Sequence, residues 1–341
     1  MQFPKVVVNS ELLPPPSFNR DIHLIEYRED PLTRARCRIN IRRTRRPRQS
    51  ERVADLGEIT KKPPDCPFCP ENIEKATPLF PEDICREGRI KRGQTRLFPN
   101  LFPFAKYHAT ATLTEEHFLE LDQFEAGMIV DNMMATKEYL LSVYKKDKEA
   151  RYPIYLWNHL PPSAASIVHP HVQVLVDKRP TLYQQRLLDS SRRYFEEMGR
   201  NFWEEIIREE RARGERYIGG NGSLYLLASY APQGNREVQI IFPGVSNLLD
   251  LDESQIEDFA HSLTKILHGY KQMGVNSFNL STFSAPLGER LDYYFLNAKL
   301  ISRPVMQPFY RNDSGILERF HYEADIEIEP EVVAQRLRAF F

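Results

Sequence analysis

The chain has 341 residues and a net charge of -1, so no global field favours nucleic acid or an anionic membrane. That length allows two domains and an ample core, and no apolar run approaches the ~20 residues of a membrane-spanning helix. The start, MQFPKVVVNSELLPPPSFNR, is too rich in proline for a secretory signal, and four cysteines do not suggest a disulfide framework; the expectation is a cytoplasmic protein.

Residues 1–50 read as irregular and basic, with nine arginines between Arg34 and Arg52. Residues 60–96 read as loop. Strands are predicted at RLFPNLFPF and YHATATLT. A helix is predicted over EEHFLELDQFEAGMIVDNMMATKEYLLSVYKK, where apolar residues recur at spacings of three and four. A strand YPIYLWNH, a loop LPPSAAS and a strand containing HVQVLV follow. One or two charged helices are predicted over 181–214, and GGNG at Gly219–Gly222 marks a break. The order then repeats: strands SLYLLASYAP and EVQIIFPG, helix NLLDLDESQIEDFAHSLTKILHGYKQM, strands SFNLSTF and DYYFLNAKLISRP. The helix starts match in text, HFLELDQFE against NLLDLDESQIE. We read a duplicated strand–strand–helix–strand–strand unit, with halves at 1–180 and 181–341. FLNAKL falls near the place of HPHVQVL, so any histidine chemistry belongs to the first half.

Four stretches carry candidate chemistry. In HPHVQ, His169, His171 and Gln173 alternate, and if the strand begins near Val168 all three share a face. The pattern is not a clean amphipathic alternation, and it reads as a polar site or as a pair of hydrogen-bonded core histidines. CPFC, Cys66 to Cys69, supplies half of a tetrahedral metal site or a redox pair. His117 and His169 are candidate further ligands, with His108, His159 and His321 as competitors. WNHLPPSAAS offers Ser163 and Ser166 with loop amides for a phosphate, or is an ordinary polar loop. The arginine run suits phosphate oxygens, or is a solvated basic arm; it lacks the aromatic residues of a base-stacking platform.

DPLTRARCRINIRRTRRP, CPFC, FPNLFPF and WNHLPPSAAS before HPHVQ occur in one order. That order resembles the galactose-1-phosphate uridylyltransferase family of the histidine-triad superfamily, from about Asp30 to the C-terminus. The resemblance implies an α+β fold of two duplicated histidine-triad-like domains, each an antiparallel sheet with packed helices. It implies one structural zinc on Cys66, Cys69, His117 and His169. His171 corresponds to the nucleophile, with Gln173 and Ser166 as catalytic partners. Asn158 matches a nucleotide-phosphate contact, Phe98 and Asn100 a nucleoside pocket, and Arg43 and Arg46 arginines that reach phosphates across a homodimer interface. Tyr322 and Glu323, in FHYEAD, match sugar contacts. The implied reaction is transfer of a nucleoside monophosphate from a nucleotide sugar to a phosphorylated acceptor through nucleotidyl-His171. The alternatives are an ADP-sugar, GDP-sugar or dinucleoside-polyphosphate phosphorylase, or a zinc-stabilised module that binds nucleotide or RNA without turnover. Val172 stands where the family has glycine, which implies bulk beside the phosphate. The acidic stretch IEIEPE replaces a family glutamine, and no histidines suggest a second metal in the C-terminal half.

Overall fold

The computed structural model describes residues 1–45, 56–308 and 312–341. Three strands open the chain, β1 (Lys5–Leu12), β2 (Asp21–Glu29) and β3 (Arg36–Ile39). The expectation of irregular structure there is thus corrected. Two short helices, α1 (Leu56–Ile59) and α2 (Pro70–Ala76), precede β4 (Ile90–Arg92), β5 (Thr95–Pro99) and β6 (Tyr107–Thr112). Then come α3 (Ala126–Lys146), β7 (Tyr152–His159) and β8 (His171–Asp177). Helices α4 (Leu182–Met198) and α5 (Phe202–Arg213) lead to β9 (Tyr217–Gly220), β10 (Tyr225–Ala228) and β11 (Val238–Ile241). The chain ends with α6 (Glu253–Gln272), β12 (Phe278–Phe283), β13 (Asn297–Ser302), β14 (Glu323–Ile326) and α7 (Pro330–Leu337).

The two long helices begin later than the apolar spacing suggests. Before α3, Glu120 and Gln123 form a reciprocal capping box around a 3-10 turn, Leu121–Gln123. Before α6 a 3-10 turn at Leu248–Asp250 is followed by a second capping box, Asp252 with Gln255. The textual repeat therefore marks a repeated helix entry.

The fold is mixed α+β, and the two halves join edge to edge into one sheet of ten strands, in the order β4-β5-β6-β8-β7-β12-β13-β11-β10-β9. The order mirrors about the β7–β12 pair, where Asn158 faces Asn279 and Leu156 faces Ser281. One row of directly opposed residues crosses the sheet: Phe98, Thr110, Gln173, Leu156, Ser281, Lys299, Gln239 and Leu227. Opposed residues share a face. The other face is the main core. Val172, Val174, Trp157, Leu280 and Leu300 pack there with Met133 and Tyr139 of α3 and Phe259 and Leu263 of α6. On the row's own face, Leu188 of α4 and Trp203 and Ile206 of α5 cover Leu227 and Ile241 in the second half. The four-stranded sheet β1-β2-β3-β14 joins the two ends of the chain, with β3 parallel to β14.

Candidate active site and metal centre

Cys66, Cys69, His117 and His169 are buried, and their ligand atoms all lie within 4.8 Å of one another. Cys69 caps the N-terminus of α2, and Asn72 on its first turn donates to the Cys66 carbonyl at 2.9 Å, which folds the CPFC loop back. The Cys69 sulfur is 3.5 Å from Nδ1 of His117 and 3.6 Å from Nδ1 of His169. His169 holds its Nε2 against the Thr114 carbonyl at 2.8 Å. A carbonyl only accepts, so Nε2 carries the proton and Nδ1 keeps its lone pair for a ligand. Burial and the neighbouring Cys66 push the Cys69 thiol up to about 12, which is the penalty a bound cation relieves. This Cys2His2 group can hold a metal ion, and the convergence of two imidazoles disfavours a redox pair.

The strand begins at His171 rather than near Val168. His169 therefore sits in the preceding bend and turns to the cysteines, while His171 and Gln173 share the open face of β8. The alternation is cleaner than the sequence reading, since Val172, Val174 and Val176 all enter the core. The bulk of Val172 accordingly lies on the far side of the sheet from His171, which corrects the expectation of a side chain beside the phosphate.

His171 is buried, with its ring edge-on to Phe68 at 5.1 Å. Its Nδ1 lies 2.8 Å from the His169 carbonyl, so Nδ1 is the protonated nitrogen and Nε2 keeps the lone pair. Burial lowers its pKa and keeps the ring neutral. Gln173 lies two residues on and places Oε1 2.8 Å from Nε2 of His108. His108, which the sequence leaves as a competing metal ligand, thus belongs to the open face beside Gln173.

Asn158 lies two residues beyond Leu156, the last residue of β7 paired with β8, and pairs across the sheet with Asn279 of β12. Asn279 donates to the Asn158 side-chain oxygen at 2.6 Å, which leaves the Asn158 amide hydrogens for another acceptor. Arg303 donates to Asn279 at 2.7 Å and pairs with Asp313 at 2.6 Å. Asn279 and Arg303 escaped the sequence reading, although the alternating polar positions of SFNLSTF were a signal. In the preceding loop Ser163 spends its hydroxyl on the Leu160 carbonyl at 2.7 Å, whereas Ser166 is exposed. Leu160 and Ala164 hold positive φ of 68° and 71° there, a strain of about 1–3 kcal/mol each. Phe98 is buried against Phe68 at 5.5 Å, and Asn100 donates to Thr110 at 3.0 Å. Phe68, in the middle of CPFC, touches Phe98, His169 and His171, and the sequence reading passed it over.

Of the remaining candidates, Glu323 lies on β14, Tyr322 just before it, and Arg43 in the 3-10 turn after β3. Arg43 pairs with Asp325 at 2.5 Å, and Glu323 with Arg38 at 2.7 Å. Tyr322 is 79% exposed at the rim of a cavity of about 460 Å³ lined also by Arg34, Arg36 and Arg186. Arg46 lies outside the described residues.

Several proteins of known structure share this architecture. An ADP-glucose phosphorylase from Arabidopsis thaliana, solved with bound ADP-glucose, superposes with a TM-score of 0.73 at 19% identity, over 92% of this chain and 98% of that one. A GalT-like protein from Arabidopsis thaliana gives 0.69 at 20% identity, and a uridylyltransferase 0.68 at 19%, each with the same coverage. The chain therefore shares the fold of the ADP-glucose phosphorylase, the GalT-like protein and the uridylyltransferase. In sequence, the chain belongs to one family with a protein of Archaeoglobus fulgidus described as "Uncharacterized protein", 33% identical over 319 residues, 93% of this chain and 92% of that one. No family model matches the chain. Among the described residues no helix is long and apolar enough to cross a membrane.

Proposed function

We propose that the chain is a nucleotidyltransferase that passes a nucleoside monophosphate from a nucleotide sugar to a phosphorylated acceptor, with galactose-1-phosphate uridylyl transfer as the leading reaction. The observation that carries the reading is the locked tautomer of His171: Nδ1–H on the His169 carbonyl, Nε2 free, ring neutral. A neutral imidazole with a fixed lone pair is a competent nucleophile toward phosphorus. Nε2 attacks the α-phosphorus, an N–P bond forms, and the P–O bond to the sugar 1-phosphate breaks with its electron pair on the leaving oxygen. No proton moves. The imidazolium phosphoramidate keeps Nδ1–H on the His169 carbonyl, and an acceptor phosphate oxygen later expels His171. Gln173 and Ser166 are assigned as donors to the non-bridging oxygens, where charge develops, and Asn158 as a phosphate contact. Phe98 and Asn100 are assigned to the nucleoside.

Zinc is the metal that suits the Cys2His2 group. Bonds of about 2.3 Å to sulfur and about 2.05 Å to nitrogen at a tetrahedral angle set S and N about 3.6 Å apart, which is the spacing seen around Cys69. Its role is structural, tying the CPFC loop to the segment that carries His171. We assign Arg43 and Arg46 to nucleotide phosphates across a homodimer interface, and Tyr322 and Glu323 to the sugar. The acidic stretch IEIEPE in place of the glutamine favours a second reading, a phosphorylase that releases a nucleoside diphosphate.

Intact-protein mass spectrometry after mixing with UDP-glucose, ADP-glucose, GDP-sugars and diadenosine polyphosphates, one at a time, tests this. The expected result is a gain of one nucleoside monophosphate that His171→Ala abolishes. UMP supports the uridylyl reaction and AMP or GMP the phosphorylase. An adduct that persists in His171→Ala refutes the mechanism.

A further inference from the structure

The structure assigns to His108 the task of aiming Gln173: its Nε2–H holds the Gln173 oxygen, so that the Gln173 amide hydrogens face the reacting phosphoryl group. We rest this on the proposed role of His171 and Gln173. His108 lies on β6, two residues before Thr110, which stands directly opposite Gln173. Its ring is fixed from three sides. The Phe104 backbone N–H reaches Nδ1 at 3.4 Å, the Phe104 ring packs edge-on at 4.4 Å, and Nε2 lies 2.8 Å from Oε1 of Gln173.

A backbone N–H can only donate, so Nδ1 must accept and carries no proton. Burial lowers the His108 pKa, against the opposing pulls of Gln173 and Asp177, and holds the ring neutral. The single ring proton is then on Nε2. Nε2–H donates, and what faces it on Gln173 must be the carbonyl oxygen. The amide flip of Gln173, otherwise ambiguous, is decided by a contact on a different loop. With its oxygen held toward His108, Gln173 turns its N–H donors toward a phosphoryl oxygen. The opposite flip would turn a carbonyl oxygen toward an anion. His108 touches neither substrate nor the reacting atoms by this account, and is a positioning residue. It also ties the loop after β5, where Asn100 bonds Thr110, to the donor beside the nucleophile.

The test measures the rate and extent of the nucleotidyl adduct for His108→Phe, His108→Gln, Gln173→Met and the His108→Phe/Gln173→Met double variant. Melting temperature and metal content serve as folding controls. Gln173→Met should slow adduct formation about 10²–10³-fold, as for loss of one charge-stabilising donor. His108→Phe should slow it about tenfold or more, at the maximal rate rather than through KM. The same substitution should add less than about twofold in the Gln173→Met background, because there is no amide left to aim. His108→Gln, which restores an N–H donor, should recover most of the rate. In the unaltered protein, 15N spectra of the imidazoles should show His108 as the Nε2–H tautomer, a reading that needs no variant to fold. The assignment falls if His108 is the Nδ1–H tautomer, if His108→Phe leaves the rate unchanged, or if its loss is the same in both backgrounds. No adduct in the unaltered protein, or an adduct that survives His171→Ala, overturns the underlying mechanism and this assignment with it. An adduct that needs His171 and Gln173 but ignores His108 overturns this assignment alone.

Discussion

Strands β8 and β13 hold mirrored places in one sheet, and the row of opposed residues that crosses it puts Gln173 and Lys299 on the same face. Their surroundings differ. In the first half Phe68 packs against His171, His108 bonds Gln173, and among the described residues Nε2 of His171 has no hydrogen-bond partner. In the second half α4 and α5 cover that face. There Asn297 spends its amide on Tyr294 and the Phe295 carbonyl, and Lys299 pairs with the fully buried Glu237 at 2.8 Å. One architecture thus gathers the candidate site residues on one half of this face, and on the other half packs helices over a buried ion pair. The same polar positions along a strand mean different things according to what packs above them.

The comparison breaks first at the nucleophile. His171→Ala should cut turnover by about 10⁴-fold or more, while Asn297→Ala at the mirrored strand leaves turnover per folded molecule unchanged. Stopped turnover in both variants would mean that the second half takes part in the chemistry. Next comes the metal. Metal analysis should give one equivalent per chain, and Cys66→Ser should remove it with a stability loss above about 4 kcal/mol, the scale of a lost structural metal. Metal retained at full occupancy in Cys66→Ser would show that the ligand set is wrong, and a second equivalent would place a metal in the other half.

Lys299→Met sharpens the contrast. Burial alone would lower the Lys299 pKa, but Glu237, Tyr183 and Asp30 outweigh it and the net shift is upward. A raised lysine pKa contributes stability that is complete below the unfolded value of 10.5 and is lost only as pH rises through the higher folded value. At neutral pH Lys299 is therefore charged, and removing it takes the cation away from the buried Glu237 carboxylate. The expected cost is about 3–5 kcal/mol in urea unfolding, with turnover per folded molecule intact. A loss of turnover without a loss of stability would reverse the roles given to the two halves.

What was legible in the sequence follows from the range of each signal. Cys66 and Cys69 are close neighbours along the chain, and His171 and Gln173 share a period of two, so local spacing exposes them. The repeated helix entries were visible as a textual match, HFLELDQFE against NLLDLDESQIE, which is local too. The strands β1 to β3 were not, since all eight residues of β1 are exposed and β3 is held by parallel pairing of Arg36 with Glu323, far along the chain. The same limit hid Asn279, Arg303 and the task of His108. Their partners lie on other strands, and a polar residue on a strand announces only that one face is not core.

Val172 tests how far the open face extends. If its side chain crowded the phosphate, Val172→Gly would speed nucleotidyl transfer. Its side chain instead enters the main core with Val174 and Val176, on the face that packs against α3 and α6. Glycine there loses a buried branched side chain and adds backbone freedom to a strand interior. Val172→Gly should therefore cost about 2–4 kcal/mol of folding stability, and turnover at saturating substrate should not rise. A faster enzyme of undiminished stability would put the residue on the substrate's side of the sheet, and the strand assignment that separates His171 from the core would have to be redrawn.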